Sequence, residues 1–196
     1  RYAKRQRWIQ FNPAEDIDLP TTRACVNQRR KVREPVPREV MQKIFERFPE
    51  GSPVHLPFML AYHCGLRLGE VFGLTWKDID LEQGRLLVNH QMQWRTNEGR
   101  YQLTPPKYGS TRRVMLDPVI LDLLKRTREQ QLERRSHYGA LHVHNFIDRY
   151  GYLNQNGAGE EMEFLMVRED GSFLHRTVIA HASKVIKREL GHQQFD

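Results

Sequence analysis

The sequence predicts an α+β fold, mostly helical with a small three-stranded antiparallel sheet, preceded by the tail of a separate helical domain. Three observations predict it. Apolar residues recur at three- and four-residue spacing from Val40 to Phe48, Leu68 to Leu74, Ile120 to Leu132 and Val178 to Leu190, the period of amphipathic helices. Between Gly84 and Asp117 that period gives way to strand-like runs separated by turn residues. Ahead of both lies a basic, proline-spaced stretch with no apolar period.

Each element has its own justification. Residues 1–9, RYAKRQRWI, carry basic residues and Trp8 at helical spacing and are stopped by Asn12-Pro13, so they read as the last turns of a helix. Residues 13–36 hold Pro13, Pro20 and Pro35 around the basic run QRRKVRE and read as an interdomain linker. Pro37 suits a first helical position, and PREVMQKIFERF puts Val40, Met41, Ile44, Phe45 and Phe48 on one face. A second helix runs from about Leu56 to Cys64 and ends at Gly65, which suits a left-handed cap. A third, short helix turns Leu68, Val71, Phe72 and Leu74 inward. TWKDID then leads into the strand runs GRLLVNHQMQWR, YQLTPPK and TRRVMLD, with turn signals at Asn97 and Gly99 and across Tyr108, Gly109 and Ser110.

Asp117 and Pro118 read as N-cap and first residue of a long helix with Ile120, Leu121, Leu124 and Leu132 inward. Its polar far half, KRTREQQLERR, is expected to protrude. Residues 137–162 yield no element. FLMVREDG reads as a short strand and turn, and HRTVIAHASKVIKREL as an amphipathic helix burying Val178, Ile179, Ala182, Val185, Ile186 and Leu190.

The totals bound the function. With 196 residues, 39% of them hydrophobic, the chain can bury one good core. A formal charge of +7 fits either an anionic polymer as partner or a solvated basic surface. Cys25 and Cys64 lie far apart in no CxxC pattern, which excludes a disulfide scaffold or zinc ribbon; Cys64 is expected as a buried thiol. No apolar run approaches the roughly 18 residues of a membrane span, and no signal peptide is visible, so a cytoplasmic protein without a membrane partner is expected. Neither end reads as a natural terminus, and the chain is expected to be a fragment.

Two stretches carry chemistry. In HCGLRLGEVFGLTW, Arg67 stands in a core-forming run between Gly65 and Gly69, with Glu70 three residues on. A cation there needs a partner: Glu70 as a structural pair, or an anion such as a phosphate, which a held guanidinium suits. In TPPKYGSTRRV, Lys107 is expected at a hairpin tip, from which it could donate a proton or a point charge, or simply be solvated. Arg112 and Arg113 follow on alternate faces of one strand. The basic positions Lys4, Arg5, Arg7, Arg29, Arg30, Lys31 and Arg33, with Arg112 and Arg113, are the candidate phosphate contacts. Trp8, Trp76 and Trp94 could stack on bases, though Trp76 reads as core. His142 and His144 offer half a metal site without a third ligand, so no metal is expected.

Taken together, GLRLGEVFGLTWKDID, then PPK and STRRV, then a helix ending RELG resemble the catalytic domain of tyrosine recombinases, the phage integrase family. The closest likeness is to integrases of conjugative transposons, and NPAEDIDLP resembles that family's exit from its core-binding domain. The resemblance implies residues 1–12 as the end of a helical core-binding domain, 13–36 as a basic linker and 37–196 as the catalytic domain. It implies a site-specific recombinase acting on double-stranded DNA through a 3′-phosphotyrosyl intermediate, without cofactor, as a homotetramer in the full-length protein. Arg67 matches the family's first arginine, Glu70 supports it, and Lys107 matches the acid for the leaving 5′-oxygen. The family's His-x-x-Arg box and tyrosine would follow a segment like RELGHQQFD, so the polypeptide alone is expected to be inactive. His175, Arg176 and His181, and Tyr138, Tyr150 and Tyr152, precede the places where those groups belong. The alternative is a non-catalytic DNA-binding module on the same scaffold.

Overall fold

The computed structural model describes residues 6–8, 10 and 35–192. The chain divides into two units, 1–35 and 36–196. In the first, residues 6–8 form a turn with Arg7 exposed at φ 60°, where the end of a helix was expected. Lys4, Arg5, Cys25, Arg29, Arg30, Lys31 and Arg33 lie outside the described residues.

In the second unit, Pro37 leads into α1 (Arg38–Arg47), which buries Met41 and Ile44 from the expected face. Helix α2 (His55–Cys64) buries Pro57, Phe58, Met59 and Leu60 and closes on Gly65 at φ 61°, ψ 30°, the left-handed cap that glycine adopts without strain. Helix α3 (Leu68–Gly73) buries Val71 and Phe72. Leu68, expected inward, is 41% exposed, because the first turn of α3 stands at the molecular edge beside Arg67.

A three-stranded antiparallel sheet forms, but with different members from those its sequence runs suggest. Strands β1 (Ile79–Asp80), β2 (Arg85–Val88) and β5 (Arg112–Met115) pair in the order β1-β2-β5. The run GRLLVNHQMQWR breaks at Asn89-His90, where the His90 imidazole lies 3.1 Å from the buried Asp78 carboxylate. Its second half becomes β3 (Gln91–Arg95), which pairs with β4 (Arg100–Thr104) in a separate ladder. The region without a predicted element folds into a small sheet of β6 (Phe146–Ile147), β7 (Leu153–Asn154) and β8 (Glu160–Glu161), ordered β7-β6-β8.

Helix α4 (Pro118–Tyr138) starts where Asp117 Oδ1 accepts from the Ile120 backbone N–H at 2.9 Å. Its far half is tied down rather than protruding. Gln131 accepts from Trp76 Nε1 at 2.8 Å and donates to the Leu165 carbonyl at 2.9 Å. Arg128 and Arg135 both donate to Glu163, at 3.1 and 2.8 Å. Leu132, expected inward, is 49% exposed, since these polar contacts and not an apolar seam hold that half of the helix. A bridge between Val167 and Phe173 closes the expected turn, and α5 (Thr177–Glu189) buries Ala182 and Ile186.

Two apolar clusters result. The larger joins α2, α3, the strands and α4 through Leu60, Phe72, Leu74, Leu86, Ile120, Leu124 and Phe164, each contributing about 1.5–3 kcal/mol by burial. The smaller joins α1, the start of α2 and α5 through Met41, Ile44, Phe58, Ala182 and Ile186. Trp76 is core, 8% exposed. No helix among the described residues is long and apolar enough to cross a membrane.

Candidate functional site: a carboxylate between two arginines

Glycines decide where Arg67 stands. A Cβ on Gly73 would lie 2.9 Å from Gln91 Cα and 3.0 Å from the Met92 nitrogen, and one on Gly69 would lie 3.2 Å from the Met92 carbonyl oxygen. Only an i, i+4 glycine face lets α3 lie against the β3 backbone this closely. Arg67 is the N-cap of α3, and its backbone N–H donates to Glu70 Oε2 at 2.9 Å. Its Nη1 donates to Glu70 Oε1 at 2.7 Å and to Ser110 Oγ at 3.2 Å.

Glu70 has no exposed side-chain surface, and it serves a second arginine. Arg112 Nη1 donates to Oε1 at 3.1 Å and Nη2 to Oε2 at 2.7 Å, the two-pronged geometry of a guanidinium on a carboxylate. Burial by itself would raise the Glu70 carboxyl. Arg112, the Arg67 backbone and the Arg67 guanidinium overcome it and hold the group at about 2. Both readings of Arg67 therefore meet in one geometry: it is paired with Glu70, yet its side chain remains 53% exposed. Arg112, a candidate DNA contact by sequence, has its guanidinium engaged by Glu70, while Arg113 on the opposite face of β5 is exposed.

Lys107 does not sit at a hairpin tip, because β4 and β5 pair with other strands and not with each other. It lies in the connection between the two ladders. That connection is pinned at one end by Gln91 Nε2 donating to the Pro105 carbonyl at 2.9 Å, and at the other by Ser110 on Arg67 and Arg112 on Glu70. Between the pins, Tyr108 adopts φ 62° and Lys107 is exposed, its Nζ 5.0 Å from the Tyr108 ring centroid. Arg67, Glu70, Ser110 and Arg112 are thus in contact, with Lys107 on the loop they anchor. Gln91 and Ser110 were missed by sequence; nothing in an isolated Gln or Ser marks a residue that ties a loop across 14 or 43 positions.

The remaining candidates are engaged elsewhere. Trp94 meets Tyr101 and His175 edge-on at 5.0 and 5.2 Å. His142 and His144 meet edge-on at 5.3 Å, His144 lies 2.6 Å from Glu161 Oε1, and the described residues contain no group of three ligands that could hold a metal. Burial, then Asp117, pushes the half-buried Cys64 thiol up to about 11, far from a reactive thiolate.

The phage integrase family model matches residues 36–195. The ICEBs1 integrase of Bacillus subtilis (strain 168) is 32% identical over 146 residues, which span 72% of this chain and 37% of that protein. A tyrosine recombinase XerC-like protein of Caldanaerobacter subterraneus subsp. tengcongensis is 28% identical over 127 residues, 61% of this chain and 32% of that protein. The chain thus spans about a third of the curated relatives it matches. Two solved structures of the Tn1549 transposon integrase share the fold. One, in complex with transposon right end DNA, has a TM-score of 0.60 at 20% identity, over 95% of this chain and 54% of the other. The second, with circular intermediate DNA, has a TM-score of 0.61 at 17% identity, over 98% and 56%.

Proposed function

The chain belongs to the phage integrase family, and from that premise we propose that it provides the phosphate clamp of a site-specific recombinase that integrates and excises a mobile DNA element. In this reading residues 1–12 end a core-binding domain, 13–36 are a basic linker along the DNA, and 37–196 are catalytic. A tyrosine attacks the scissile phosphate and forms a 3′-phosphotyrosyl bond, releasing a 5′-hydroxyl that later attacks the partner strand. No residue within 1–196 is assigned as that tyrosine. Arg67 binds non-bridging oxygens of the phosphate, Glu70 orients Arg67, and Lys107 protonates the leaving 5′-oxygen. Four protomers assemble on double-stranded DNA, with Arg113 and the basic positions of residues 1–36 contacting its backbone.

The observation that carries this reading is the half-exposed Arg67 guanidinium, held by a carboxylate that has no exposed surface of its own. Its Nη1 is committed to Glu70 and Ser110, which aims the rest of the planar fork outward. Donors fixed in this way stabilise the charge that grows on a phosphate in the transition state, and each is worth about 3–4 kcal/mol. The test is Arg67→Ala in the full-length protein. Strand cleavage should fall by at least about 10²-fold while duplex affinity changes only a few-fold. Near-normal cleavage would refute the clamp.

A further inference from the structure

Resting on that reading, we propose that Arg112 is a positioning residue of the clamp: by occupying both oxygens of Glu70 it fixes the carboxylate under Arg67 and leaves the Arg67 charge uncancelled for the phosphate. An ionised carboxylate offers about four acceptor positions, and Glu70 receives four bonds: two from Arg112, one from the Arg67 guanidinium and one from the Arg67 backbone N–H. The carboxylate is saturated, so it cannot rotate without losing a bond in a place that water does not reach.

A lone Arg67–Glu70 pair would be neutral and would attract an incoming phosphate weakly. Two guanidiniums on one buried carboxylate carry a net charge of +1. The side chain of Arg112 is 32% exposed and grips both oxygens, whereas that of Arg67 is 53% exposed and gives Glu70 a single guanidinium nitrogen. Arg112 therefore neutralises the carboxylate, and Arg67 keeps its charge at the surface. Arg112 also starts β5, paired with Val88 of β2, so its bonds to Glu70 anchor the Lys107 loop to α3.

The experiment compares Arg112→Met, which removes the charge, with Arg112→Lys, which keeps it without the fork. Both are made in the full-length protein and assayed by single-turnover cleavage of a nicked duplex that traps the covalent intermediate. Arg112→Met should lower the cleavage rate at saturating DNA by about 10²-fold with duplex affinity within a few-fold, and Arg112→Lys should restore part of the rate. A rate close to that of the unsubstituted protein in Arg112→Met overturns the proposal, as does a loss that tracks the unfolded fraction. If Arg112→Met does not fold, Arg112→Lys carries the test, and an unimpaired rate in it is the overturning result. Should the unsubstituted protein bind DNA and cleave no duplex, the recombinase reading fails instead. The positioning claim is then read from nitrogen NMR of the Arg67 guanidinium, whose hydrogen exchange should quicken in the Arg112 variants; unchanged exchange overturns it.

Discussion

A carboxylate with no exposed surface stays ionised only when charge and donors replace the water it has lost. Glu70 meets that condition through Arg112 and Arg67, and the result is a linkage between the site and acid stability. The folded group titrates at about 2 against an ordinary 4.5, so folding favours its anion. Its contribution is complete above pH 4.5 and disappears as pH falls through 2, on the order of 3 kcal/mol in all. By pH 3 about 2 kcal/mol of it should be gone. Urea unfolding at pH 6 and pH 3 checks this: the unsubstituted chain should lose that much more stability between the two than Glu70→Gln does. Equal losses would mean that Glu70 is not held as the anion. The same residues show what could be read in advance. Arg67–Glu70 is local, three positions apart, and was legible as one of two readings. The Arg112–Glu70 contact spans 42 positions, and the alternation of Arg112 and Arg113 told only that at most one of them points with Lys107.

At the scale of elements, the clamp depends on how closely α3 lies on β3. Gly73→Ala places a Cβ within 2.9–3.1 Å of three Gln91 and Met92 backbone atoms. Backbone cannot step aside as a side chain can. The gain of about 1 kcal/mol in helix propensity from Gly to Ala is therefore outweighed by overpacking of about 1–3 kcal/mol, and the helix must shift with Arg67 at its start. A lowered melting temperature, together with cleavage reduced in the protein that remains folded, is the expected outcome; an unchanged pair would show that α3 has room. Helices were the legible elements, because their apolar period is local: α1 and α5 bury residues on the face the period gave them, and α2 ends at the expected Gly65. Strands β2 to β5 were legible as strands but not in their pairing, and β6, β7 and β8 were not legible at all. At the break His90 meets Asp78, on the other side of β1 and β2 in sequence, and Asn89 is the one turn residue there, with no Gly or Pro beside it. The outer half of α4 was misjudged for a related reason. Its polar residues look solvated until Glu163, Trp76 and Leu165 supply partners from outside the helix.

Over the whole molecule, the charge of +7 is not evenly available. Arg47 meets Glu189, Arg126 meets Glu50, Arg128 and Arg135 meet Glu163, and Arg112 meets Glu70. Cations already facing carboxylates release few counterions when DNA arrives, so they add little to its salt dependence. Arg113 has no ion pair among the described residues, and the cluster Arg29, Arg30, Lys31 and Arg33 is the densest run of positive charge in the sequence. If that cluster follows the DNA backbone, affinity should fall with salt at a slope of about −0.9 in log–log terms for each phosphate engaged. Replacing those residues together with Gln should flatten the slope by about 3.6, measured by duplex titration from 50 to about 200 mM salt. Arg126→Gln, on a cation already paired, should leave the slope where it was. A quadruple variant with an unchanged slope would return the linker charge to the solvent and leave the contacts to residues 36–195.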